Sequence, residues 1–268
     1  LSPRLIIGGL IALVTVIGYF ARSSFNPVVG RTQHLALSPD QEVALGLQSA
    51  PEMAAQFGGL SEDRKGTRAV DDIGYQMAAI GSAAAQGTPY KFEYHLLADP
   101  QTVNAFALPG GQIFITQALY DRLQTPGQLA GVLGHETGHV LARHSSEQMA
   151  KTSLVKGLST SAVVAGSDQR GGLAAAAVSQ FVGEFVLLGY SRKDELEADK
   201  LGVRFMAQAG YDPRAMIEVM KILEKASGGG SGKPDFMATH PNPERRIEEI
   251  EKAIAEQFPE GVPEGLMK

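Results

Sequence analysis

Gly134-His135-Glu136-Thr137-Gly138-His139-Val140-Leu141-Ala142-Arg143-His144 decides how this chain is read. Two histidines four residues apart on a helix are separated by about 40° of rotation and one turn of rise. Their imidazoles therefore converge on one point and can share one cation. Glu136, beside the first of them, is placed to take a proton from a water that such a cation activates. Zn2+, one per chain, suits two His and one carboxylate, and leaves a fourth position for water, whose pKa it lowers to about 7. A random chain of this composition yields HExxH about 0.009 times, so a chance match is a poor explanation.

The third ligand must come from elsewhere. Ser191-Arg192-Lys193-Asp194-Glu195-Leu196-Glu197-Ala198-Asp199 places Glu195 and Asp199 four apart, on one helical face. Glu195 is the expected ligand. Asp199 is expected to accept a hydrogen bond from the far nitrogen of a ligand histidine, His135 by preference. Glu197 is the rival ligand, but two residues apart means differently facing positions. His144 follows His135 by nine residues, about 180° around a continuous helix, and is read as structural. Arg143 lies nearer the ligand face and is expected to pair with an acid there. His95 falls in a strand pattern and His34 in a linker, neither with a partner in sequence. Thr239-His240-Pro241 precedes a helix whose first turn holds Arg246. Either side chain could stabilise the oxyanion of a peptide hydrolysis, although a histidine at a helix entrance is commonly a cap.

The rest of the chain frames this segment. Thr125-Pro126 starts the helix that carries the motif. Before it, Lys91–Leu97 alternates as a strand, and Val103–Thr116 reads as two strands around Pro109-Gly110-Gly111. That turn lacks the basic partner and following helix of a phosphate loop. Ser38-Pro39-Asp40-Gln41 is a capping-box helix start, with the helix stopping at Gly58-Gly59. Val70, Ile73, Met77 and Ile80 mark the buried face of a helix over about 64–85. After the motif come apolar stretches at 152–166 and 172–189, expected to be core helices. Further helices follow over about 192–209, up to 226 and from about 243 to 258, with a flexible Gly-rich loop at 228–234.

Leu5–Ala21 holds 17 residues without a charge, between Arg4 and Arg22. That length favours a membrane anchor over a cleaved signal or a core helix. Residues 22–37 read as a linker. The expected organisation is thus an anchor and linker over 1–37 and a catalytic domain over 38–268. The net charge of −5 argues against a nucleic-acid binder, and the absence of cysteine excludes a thiol nucleophile or a Cys-type zinc site.

Four blocks together carry a resemblance: Asn104-Ala105-Phe106-Ala107-Leu108-Pro109-Gly110-Gly111, His135–His144, Ser191–Asp199, and Thr239-His240-Pro241 with Arg246. Their order is similar to that of the gluzincin metallopeptidases related to the CAAX prenyl protease, HtpX and BepA-like proteases. The resemblance implies an α+β, mostly helical, zincin-like fold with the HExxH helix beside a small sheet. It implies zinc on His135, His139 and Glu195, Glu136 as general base and Asp199 as orienter. It also raises His240 and Arg246 as transition-state stabilisers, and makes Asn104–Ala107 an edge strand that binds extended substrate. The expected function is a zinc endopeptidase of extended or misfolded proteins, a quality-control role, on the extracytoplasmic (periplasmic) side. The competing expectation is a membrane-tethered binding or chaperone-like factor whose zinc site stays latent. His240, after its flexible loop, is also expected to be able to swing into the open zinc position. The chain shows only one convincing span and no repeat array, so it reads as a minimal anchored member.

Overall fold

The computed structural model describes residues 2–85, 87–166, 189–226, 235–241 and 245–268. Helices α1 (Pro3–Ala21), α2 (Pro39–Gln56), α3 (Arg64–Ala84), α4 (Gln117–Tyr120), α5 (Pro126–Leu141) and α6 (His144–Gly166) are followed by α7 (Arg192–Ala209), α8 (Ala215–Ala226), α9 (Phe236–Thr239) and α10 (Arg246–Gln257). Strands β1 (Ser23–Asn26) and β2 (Arg31–His34) form one hairpin; β3 (Glu93–Leu97), β4 (Ala105–Ala107) and β5 (Gln112–Thr116) form a small sheet. The fold is α+β and mostly helical, with the motif helix beside the sheet.

Local chemistry sets most boundaries. Ser38 accepts from the Gln41 N–H, and Gln41 Oε1 accepts from the Ser38 N–H, which closes the capping box of α2. Asp63 accepts from the Lys65 and Gly66 N–H groups at the start of α3. Thr125 caps α5 with Pro126 in its first turn. In the sheet, β5 lies between β3, to which it is parallel, and β4, to which it is antiparallel. The β4–β5 turn needs Gly110 and Gly111, whose φ values are +82° and +112°. Tyr94, Leu96, Ala105, Ala107, Ile113 and Ile115 pack towards α3 and α5, whereas Leu97, Phe106, Leu108 and Phe114 pack with Met53 and Phe57 of α2. A sheet covered on both faces explains why β5 is buried throughout, with three consecutive apolar residues at its centre rather than an alternation.

Helix α5 is the centre of the molecule, buried from Gly127 to Leu141. Its glycines let α7 come to backbone contact. A Cβ on Gly138 would stand 3.1 Å from the Ala198 carbonyl oxygen and 3.2 Å from Leu201 Cβ; one on Gly202 would stand 3.2 Å from the His135 nitrogen. This close approach brings Glu195 and Asp199 to the two histidines.

Two expectations are corrected. Residues 23–34 are not a linker but the β1–β2 hairpin, because Asn26 and Gly30 (φ +67°) close a turn. The hairpin is tied to the end of α5: Asn26 Nδ2 donates to the Leu141 carbonyl and Gln33 Nε2 to that of Ala142. The stretch 152–166 is not a core helix. It lies in α6, which runs along α1 with Gly157 against Thr15 and leaves Val155 and Leu158 exposed. Helix α1 is the one helix among the described residues long and apolar enough to cross a membrane, and its apolar side chains are exposed, which rules out a core role. The rest of the second apolar stretch (172–188), the Gly-rich loop at 228–234 and Pro243 lie outside the described residues.

Candidate metal centre

One turn of α5 supplies His135, Glu136 and His139. The first two turns of α7 supply Glu195 and Asp199. The segment after α9 supplies His240, and the start of α10 supplies Arg246. All seven side chains are essentially buried, at 0–3% exposure. His135 Nε2 and His139 Nε2 lie 3.0 Å apart, and each is 3.5 Å from a Glu195 oxygen. His240 Nδ1 lies 3.4 Å from His135 Nε2 and 3.0 Å from Glu195 Oε1. The edge of a tetrahedron with bonds of about 2.05 Å is about 3.3 Å. Two bare imidazole nitrogens and a carboxylate at these separations repel or go unsatisfied unless a cation joins them. The donor set fits a divalent metal, and His135, His139, Glu195 and His240 form a metal-type cluster.

Glu136 stands beside the cluster with both carboxylate oxygens buried and without hydrogen bonds; His240 Nε2 is 3.6 Å from one of them. Burial pushes its carboxyl above the ordinary range, against the pull of His240 and His135. Burial also acts on Glu195, but His240 and His139 outweigh it and hold that carboxyl well below the ordinary range. Burial drives His139 well below the usual imidazole value, which favours a bare nitrogen. His240 is raised, because Glu195 and Glu136 overcome its burial.

Asp199 is where the sequence put it: its Oδ1 is 2.8 Å from His135 Nδ1. Arg246 donates from Nε (2.6 Å) and Nη2 (2.8 Å) to Asp199, and its Nη1 stands 3.1 Å from Glu195 Oε2. The two acids claim the guanidinium, so it clamps them in place. Glu197 points away from the cluster, to His144 and Arg31.

Arg143 and His144 overturn the helical-wheel argument. Helix α5 ends at Leu141, and Arg143 takes a left-handed conformation (φ +58°), held by Glu42 and the Leu37 carbonyl. It does not reach the ligand face. The chain turns there and α6 begins at His144, whose ring swings back to place Nδ1 2.9 Å from His139 Nδ1. Two aromatic rings also escaped the sequence reading: Tyr190 stacks on His139 at 3.9 Å and Phe236 on His240 at 4.2 Å. Neither has a spacing signal; only the turn at Arg143 could have flagged His144. His34 packs against Tyr19 and Phe20, and His95 against Phe114 and Gln112, both far from the cluster in role. Asn104–Ala107 are buried, with Phe106 stacked on Phe114 at 5.0 Å; among the described strands β4 is an edge. The Phe236 N–H donates to the Val103 carbonyl, which ties the His240 segment to the start of that edge.

Residues 64–254 match peptidase family M48. The chain belongs to this family. It is 33% identical over 241 residues to the mitochondrial metalloendopeptidase OMA1 of Schizosaccharomyces pombe, covering 89% of this chain and 68% of that protein. It is 26% identical over 264 residues to the beta-barrel assembly-enhancing protease of Yersinia pestis, covering 97% of this chain and 53% of that one. With OMA1 of Saccharomyces cerevisiae the identity is 32% over 188 residues, 68% of this chain and 52% of the relative. The chain thus spans between half and about two-thirds of these M48 relatives. Family and relatives make the matched domain that of a metalloendopeptidase.

Proposed function

We propose that this M48 domain is a zinc-dependent endopeptidase that cleaves extended or misfolded proteins beside a membrane. The observation that carries the reading is the buried set of donors separated like the edges of a zinc tetrahedron, with the unpartnered carboxylate of Glu136 next to it. His135, His139 and Glu195 would hold the zinc. When bound, the ion polarises a peptide carbonyl and acidifies water to near neutrality. Glu136 takes the proton of the attacking water, since its oxygens have no other engagement, and passes it to the leaving nitrogen. Asp199, clamped by Arg246, fixes the tautomer and plane of His135. His240 stabilises the developing oxyanion once it leaves the donor cluster. While inside it, His240 completes the donor set and keeps the site latent. The substrate backbone runs in extended form along Asn104, Ala105, Phe106 and Ala107.

Residues 5–21 would anchor the chain through α1, with the domain beyond (38–268) on the extracytoplasmic side. The names of the relatives, one mitochondrial and one concerned with β-barrel assembly, support a role in membrane-protein quality control. His240 inside the donor set also favours the second reading, a tethered binding factor with little turnover. Metal analysis of the purified full chain, with digestion of an unfolded protein, separates the two. One equivalent of zinc with chelator-sensitive cleavage, in wild type or in His240→Ala, supports the protease. Zinc without cleavage in either protein favours the binder, and no bound cation overturns both.

A further inference from the structure

The two imidazoles from α5 have their far nitrogens held by different devices. His135 meets a carboxylate directly, Asp199. His139 meets another imidazole: its Nδ1 lies 2.9 Å from His144 Nδ1, and His144 Nε2 lies 2.9 Å from Glu197 Oε2. Glu197 in turn accepts from Arg31 Nε and Nη2, at 3.1 and 2.8 Å. The same guanidinium donates to Glu147 at 3.2 and 2.9 Å, and Gln33 Nε2 donates to Glu147 at 2.9 Å. Arg31 and Gln33, two apart on β2, thus reach the starts of α6 and α7 together.

The proton positions along this chain follow one from another. His139 presents Nε2 to the donor cluster, so that nitrogen is bare and the ring's proton sits on Nδ1. Nδ1–H then donates to His144 Nδ1, which must be bare. His144 therefore carries its proton on Nε2 and donates it to Glu197. Both rings are buried, so water cannot substitute for either bond.

We propose that His144 is a positioning residue for metal binding, acting through His139, and that Glu197 and Arg31 hold it in that task. The N-terminal hairpin, which directly follows α1, is by this route a structural part of the metal site. The inference rests on the metal reading above, and its test keeps the two apart.

The test is zinc affinity by chelator competition, and the visible spectrum with Co2+, on the detergent-solubilised full chain. In His144→Asn, Oδ1 falls where Nδ1 was: the acceptor for His139 survives and the link to Glu197 is lost. In His144→Gln the amide reaches towards Glu197 and the acceptor at the Nδ1 position is lost. His144→Ala loses both. Removing a hydrogen-bond partner of a metal-ligating histidine costs about 10–100-fold in affinity. H144Q and H144A should fall by that much with an altered Co2+ spectrum, and H144N should bind at least about tenfold tighter than H144Q. Arg31→Met should weaken zinc less than H144A. Melting of the metal-free proteins reports folding separately, and a merely structural His144 would lower it without separating H144N from H144Q in affinity. Wild-type affinity in H144Q and H144A, or equal affinity in H144N and H144Q, overturns the proposal. A wild type that binds neither cation removes the metal reading itself, and this proposal with it.

Discussion

Glu136→Gln separates chemistry from architecture, because neither carboxylate oxygen of the residue makes a hydrogen bond. Its carboxyl is raised by burial more than His240 and His135 lower it. An acid with a raised folded pKa binds its proton more tightly in the native state. Stability therefore falls as pH rises from about 4.3, the unfolded value, through the folded one. At neutral pH and without metal, this burial of the carboxyl costs stability. Leaving a buried polar group unsatisfied costs about 1–3 kcal/mol, and glutamine, itself imperfectly paired, should recover on the order of 1 kcal/mol of it. Metal-free Glu136→Gln should thus melt about 2–4 °C above wild type at pH 7–8, and the gap should close below about pH 4. Its zinc content should equal that of wild type, since Glu136 is not among the clustered donors. Loss of a general base costs about 10²–10⁴-fold in rate, or about 3–5 kcal/mol of barrier. Metal analysis, thermal melts across pH and cleavage of an unfolded protein read out the three expectations. Cleavage at the wild-type rate by zinc-loaded variant refutes the role of Glu136. A metal-free variant that melts lower than wild type at neutral pH refutes the account of its environment.

Asp199→Asn should keep the fold but lower zinc affinity about 10–100-fold, measured by chelator competition; Asp199→Ala should also destabilise by about 3–5 kcal/mol, because Arg246 is left buried without its bidentate partner. Burial raises Glu147, but hydrogen bonds from Arg31 and Gln33 outweigh it and hold the carboxyl to about 2. Its contribution is thus complete above about pH 4.3 and lost as pH falls towards about 2, so the melting-temperature gap between wild type and Glu147→Gln should shrink over that window and be constant above it. Gly138→Val places a branched side chain where a Cβ already meets Ala198 and Leu201 at 3.1 and 3.2 Å. It should lower stability by about 1–3 kcal/mol and weaken zinc binding by pushing α7 away, whereas Gly210→Ala, with open space around it but φ +84°, should affect stability alone.

The cluster's inner members were legible because they obey helical periodicity. His135, Glu136 and His139 share one turn of α5, and Glu195 and Asp199 share one face of α7. Capping residues such as Ser38 and Thr125 likewise announce themselves, since a cap is a bond across three residues. Periodicity fails where the chain stops being periodic. The left-handed Arg143 restarts the helix at His144 and turns an apparently opposite histidine into a neighbour of His139. The linker expected at 22–37 is a hairpin because its side chains find partners at the end of α5 and on α6 and α7, more than 100 residues away, which no local pattern records.

By itself, the sequence determined the donor types, the glutamate beside them, the helices that carry them and the apolar segment ahead of the domain, all consequences of spacing within a few residues. Only the tertiary structure decided how those helices meet. Glycines on α5 and α7 admit backbone contact, so Glu195 comes within 3.5 Å of both histidines. Burial also sets Arg246 against Asp199, Glu195 and the His135 ring, and seats His240 among the donors. Such outcomes depend on contacts between distant segments in a medium without water, where each charged group must bind whatever the fold brings within reach.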